Sequence, residues 1–127
     1  GSIMKFILND TNRYWWPVKV RMPDTDNPGK FVTYELEILF EPESQDKAIG
    51  RLEAAAKLYS PRERVEHERK QLFDVCKDWR GVEDDDEHAL TFNPDNFGRA
   101  LNQSWFRQAV YKAYADSLNG EEARLGN

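Results

Sequence analysis

Tyr14-Trp15-Trp16-Pro17-Val18-Lys19-Val20-Arg21-Met22 and Val32-Thr33-Tyr34-Glu35-Leu36-Glu37-Ile38-Leu39-Phe40 decide the fold. In the first run Tyr14, Trp16, Val18, Val20 and Met22 alternate with Lys19 and Arg21. In the second, Val32, Tyr34, Leu36, Ile38 and Phe40 alternate with Thr33, Glu35 and Glu37. A period of two puts one apolar and one polar face on each strand. Between the runs, Pro23-Asp24-Thr25-Asp26-Asn27-Pro28-Gly29 is turn chemistry throughout, so the two segments form a β-hairpin. Pro17 has no N–H to give a ladder, which makes the first strand an edge or an irregular one where it begins. Met4 to Leu8 is a candidate third short strand.

A lone hairpin is marginal in water, so helices must cover its apolar face, and the remaining chain supplies about four of them. Ser44 can cap a helix running to about Tyr59, with Ala48, Leu52, Ala55, Ala56 and Tyr59 on one side and Gly50 weakening it. Ser60-Pro61-Arg62-Glu63 is a capping box with proline at the first helical position. Continued at 100° per residue, that helix aligns Val65, Leu72, Cys76 and Trp79, which makes Trp79 a core residue at its end. Asn93-Pro94-Asp95 starts a third helix, with Phe92 and Phe97 at the spacing of a hydrophobic staple. Ser104 can cap the last helix, which ends near Gly120. Its stripe is Phe106, Ala109, Val110, Ala113 and Tyr114, and Trp105, Tyr111 and Leu118 fall at or beyond the margins. The expected class is α+β: an N-terminal β-hairpin or small antiparallel sheet packed by about four C-terminal helices. With 127 residues the chain is one domain, residues 4–42 forming the hairpin part and 43–120 the helical part, with an acidic linker at 83–91.

The net charge of -5 is concentrated in that linker and the helix start after it: residues 83–96 hold six Asp or Glu and no Lys or Arg. No basic face is evident, which argues against nucleic acid as a partner. Nor is there a run of about 18 apolar residues for a membrane span. A single cysteine, Cys76, forms no internal disulfide, and Phe6-Ile7-Leu8 is too short for a signal-peptide core, so the cytoplasm is the expected compartment. Gly1-Ser2-Ile3 before Met4 reads as an expression remnant.

Catalytic, metal and cofactor chemistry find little footing. His67-Glu68-Arg69-Lys70-Gln71 lacks the second histidine of a metalloprotease helix, and a calcium loop opening at Asp84 meets Ala89 where it needs glycine. Cys76 in an apolar stripe is an inert thiol. The seven glycines stand singly, so no phosphate-cradling loop exists. The chain is accordingly expected to be no enzyme, with no catalytic residue, no cofactor and no metal.

Trp79, Gly81 and Val82, the acidic run Glu83 to Glu87, then Phe92, Pro94, Asp95 and Asn96, then Trp105-Phe106, Ala113-Tyr114, Gly120 and the closing Ala123-Arg124-Leu125-Gly126-Asn127 together resemble small phage tail assembly chaperones. Tyr14-Trp15-Trp16-Pro17-Val18 and the hairpin after it are similar as well. Where that family often has an Asp-Gly turn, this chain has Glu87-His88-Ala89. The resemblance implies a bacteriophage or prophage protein of virion morphogenesis. Such a protein sheathes the tape measure protein, helps recruit tail tube subunits and can form homo-oligomers. The partner-binding candidates are Trp15, Trp105 and Tyr111, large aromatics that the apolar stripes do not use. The alternative is a small ligand-binding or regulatory β module with Tyr14 and Trp15 exposed as its contacts.

Overall fold

The computed structural model describes residues 3–120 and residue 122. The closing Ala123 to Asn127 of the chaperone pattern lies outside them. Two ten-residue strands, β1 (Tyr14–Pro23) and β2 (Phe31–Phe40), form the expected antiparallel hairpin, with Tyr14 opposite Phe40 and Pro23 opposite Phe31. The helices α1 (Gln45–Ala55) and α2 (Pro61–Val75) follow, then a third strand β3 (Cys76–Arg80), then α3 (Pro94–Leu101) and α4 (Ser104–Leu118). The sheet order is β1-β2-β3, all antiparallel. The class is α+β.

The third strand is therefore not Met4 to Leu8, which is irregular and exposed, and Cys76 to Trp79 do not continue the helix. The α2 helix stops at Val75, and Cys76 is extended at φ -99°, ψ 117°. Pairing explains the switch: Trp79 lies opposite Ile38, Asp78 opposite Leu39 and Cys76 opposite Phe40, so Lys77 is an extra residue without a partner on β2. Side chains three apart on a regular strand face opposite ways, but one bulged residue returns them to the same face. Cys76 and Trp79 are thus both buried at a spacing that imitates a helix. Gly81 ends the strand at φ 84°, in the left-handed region that side chains other than glycine rarely adopt.

One face of the sheet is covered. Val18, Val20, Leu36, Ile38 and Phe40 are buried with Leu72 and Val75 of α2, Phe97 and Leu101 of α3, and Phe106, Val110, Ala113 and Tyr114 of α4. The α4 helix packs on β1, and α3 packs on α4. Asn93 caps α3 by accepting from the Asn96 N–H at 2.8 Å, and the Phe92 and Phe97 rings meet at 5.1 Å, as a staple requires. Ser60 and Glu63 form the capping box of α2. Ser104 is not a cap. The α3 helix ends at Leu101, so after the short turn Gln103 takes the cap position, without a side-chain bond.

The weakest element is α1. It stops at Ala55 rather than near Tyr59, which is exposed, and none of its residues is buried. Polar contacts hold it in place. Arg51 donates to Glu43 at 2.9 to 3.2 Å and to Asp74 at 3.1 Å, and the His67 ring meets the Arg51 carbonyl oxygen at 3.1 Å.

Candidate functional site: an open groove between three helices

Because α1 stands off the core, its apolar side faces a gap instead of a packed wall. The result is a groove of about 390 Å³ between α1, α2 and α4, bordered by Leu52, Ala55 and Leu58, by Gln71 and by Tyr111 and Leu118. Leu52 is 71% exposed, Leu118 52% and Tyr111 40%, so large apolar surface remains in water along both banks. An unfilled apolar channel flanked by helices is the form in which amphipathic segments are received.

Its floor is polar and fixed. Glu43, just after β2, and Arg51 on α1 have side chains only 6% and 11% exposed, and Asp74 and Lys47 extend the ion group outward. Gln71 donates a further bond to Glu43 at 3.1 Å. Burial on its own would lower the Arg51 pKa, but the hydrogen bonds to Glu43 and Asp74 outweigh it and hold the guanidinium charged. Tyr114 also lines the groove. It is buried, and its hydroxyl makes no well-formed hydrogen bond among the described residues, only a poorly aligned approach to the Glu43 main chain. Desolvation pushes its pKa up, with the Glu43 main chain offsetting part of the effect. A buried hydroxyl so poorly paired costs up to about 1 to 3 kcal/mol.

The three aromatic candidates lie on three different surfaces. Tyr111 borders the groove. Trp105, 45% exposed, stands six residues earlier on α4, which at 100° per residue turns it well away from Tyr111. Trp15 is half-buried on the open face of the sheet, roofed by the Arg80 guanidinium at 4.1 Å, and Arg80 is itself held by Glu37 at 2.8 Å. Tyr14 is not an exposed contact. Its hydroxyl is 2.7 Å from the Ser117 hydroxyl and its ring packs on Phe40 and Trp16, because Tyr14 shares the apolar face of β1. The groove itself was invisible to helical periodicity, which gave α1 a stripe but not the distance at which the helix would be held.

The acidic run is a tight turn. Asp84 accepts from the N–H groups of Asp86 and His88, and Glu87 occupies the left-handed region at φ 64°, where glycine is favoured. Asp84, Asp86 and His88 bring ligand atoms within 4.8 Å of one another, all exposed, but one Asp84 oxygen is already engaged in closing the turn. Cys76 is buried, and desolvation raises its pKa far above the thiol range, which keeps it protonated and unreactive.

No protein-family model, curated protein or solved structure matches the chain. Among the described residues, no helix is long and apolar enough to cross a membrane.

Proposed function

We propose that the protein is a phage or prophage tail assembly chaperone that binds the tape measure protein and helps recruit tail tube subunits. The observation that carries the reading is the groove beside α1. A long helical client made before its partners assemble exposes apolar faces that need temporary cover, and a channel lined by Leu52, Leu58, Tyr111 and Leu118 offers complementary surface. The 11 residues of α1 span about 16 Å, room for two to three turns of a client helix and its anchors at i, i+3 or i+4 and i+7. Chaperoning of this kind requires weak, reversible binding and no bond chemistry, in keeping with a buried, protonated Cys76 and an Arg51 already engaged by two carboxylates. The localisation that goes with this role is the cytoplasm of the bacterial or phage-infected host cell.

Co-expression with fragments of the tape measure protein tests it. The parent should retain a fragment on affinity purification, and Leu52→Asp or Tyr111→Ala should release it while the far-ultraviolet circular dichroism stays unchanged. Retention by both variants equal to the parent would remove the groove from the function. Failure of the parent to retain any fragment would remove the chaperone reading.

A further inference from the structure

The segment before β1 has no place in its own fold. Met4, Phe6, Ile7 and Leu8 are 75 to 87% exposed, in an irregular arm that reaches to Arg13. Four large apolar side chains within five residues are an unusual load for a segment in water, where the chain recovers nothing for displaying them. The groove has the opposite deficiency: apolar banks with nothing between them.

The two features lie close along the molecule. Arg13 is tied to Glu41 at 2.6 Å, and Tyr14 to Ser117 at 2.7 Å, which pins the root of the arm beside the last turn of α4. Leu118, the next residue, is already on the groove bank. From Tyr14 the arm reaches at most about 26 to 29 Å to Phe6 when extended. It stands clear of its own groove, so both apolar surfaces stay uncovered within a single copy.

We propose that Met4–Leu8 of one copy seats in the α1–α2–α4 groove of a second copy. The contact is heterologous, arm to groove, so each added copy presents a fresh arm or a fresh groove and the assembly grows head to tail unless its rotation closes a ring. Its size makes it reversible: one short arm can bury at most about the 800 Å² per partner of a standard interface, and it must also be ordered on seating, so the association is weak. The inference rests on the groove being a binding surface and not on the identity of any client.

Sedimentation velocity over a concentration series is the test, using the parent, an arm variant (Phe6→Asp with Leu8→Asp) and a groove variant (Leu52→Asp). All three positions are exposed, so the fold should survive, and circular dichroism checks this. The parent should associate as concentration rises, and each variant alone should remain monomeric or associate at least about tenfold more weakly. A mixture of the two variants should stop at a one-to-one dimer, since together they hold one good arm and one good groove. A parent that stays monomeric throughout the range, an arm variant that associates as the parent does, or a mixture that stays monomeric would each overturn the proposal. None of those results bears on whether a tape measure fragment binds, so this inference and the chaperone reading fail separately.

Discussion

Replacing Trp79 by alanine should destabilise the protein by about 3 to 5 kcal/mol, the range for large aromatic side chains removed from cores. The structure gives reasons for the upper half of that range. Trp79 is 5% exposed, and its ring stands edge-on to Phe92 at 5.3 Å, Phe97 at 6.0 Å and Phe106 at 6.2 Å, so one indole joins β3 to both α3 and α4. Its Nε1–H donates to the Leu90 carbonyl at 2.7 Å, tying the strand to the far end of the acidic turn. Truncation removes all four contacts and leaves that carbonyl without its donor. Trp79→Phe keeps a ring but loses the donor and should cost about 1 to 2 kcal/mol. Asp85→Asn, on the exposed turn, should stay within about 0.5 kcal/mol. Urea titration followed by circular dichroism reads these differences directly. In a domain of this size the alanine variant should also melt roughly 10 to 20 °C lower. If Trp79→Ala lost less than about 1 kcal/mol at an unchanged urea dependence, the aromatic cluster would not be holding β3 against the helices.

Arg51→Ala should cost about 3 kcal/mol in urea titration, because it strands the buried Glu43 carboxylate, and Glu43→Ala in the same chain should recover part of the loss. Tyr114→Phe should be at least as stable as the parent in the same titration, since it deletes a buried hydroxyl without a well-formed bond, and a loss above about 1 kcal/mol would show that its approach to the Glu43 main chain is a real hydrogen bond. Hydrogen bonds from Arg80 and Arg13 hold Glu37 and Glu41 below their ordinary 4.5, so the stability they add is present above that pH and lost as pH falls through the depressed values. Thermal melts from pH 6 to pH 3 should fall less steeply for the Glu37→Gln, Glu41→Gln variant, by a small and salt-sensitive margin because both pairs are exposed.

Local chemistry made much of this architecture legible. The hairpin followed from two alternating runs around a turn. The α2 and α3 starts followed from Ser60-Pro61 and Asn93-Pro94, where cap and proline act within one turn of the chain. What stayed hidden depends on distant partners. Cys76 and Trp79 have helical spacing, and only the open edge of β2 and the extra residue Lys77 make that stretch a strand. Likewise Leu52 carries the same apolar signal whether its helix packs tightly or stands away. Its exposure follows from the Arg51–Glu43–Asp74 tether, whose last member lies 23 residues beyond Arg51. Of the partner candidates, Tyr111 lies at the groove, and Trp15 and Trp105 lie on other faces.

The late arrival of β3 sets a schedule for biosynthesis. β2 becomes an inner strand only when Cys76–Arg80 reaches it, about 40 residues after the hairpin is complete. At about 5 to 20 residues per second, the ribosome leaves that edge of β2 open for roughly 2 to 8 s. During that interval the nascent hairpin displays unpaired backbone groups beside Ile38 and Phe40 and can add a strand from another chain. A message truncated before codon 76 would make the interval permanent, and its product should go to inclusion bodies while the full-length chain remains in solution.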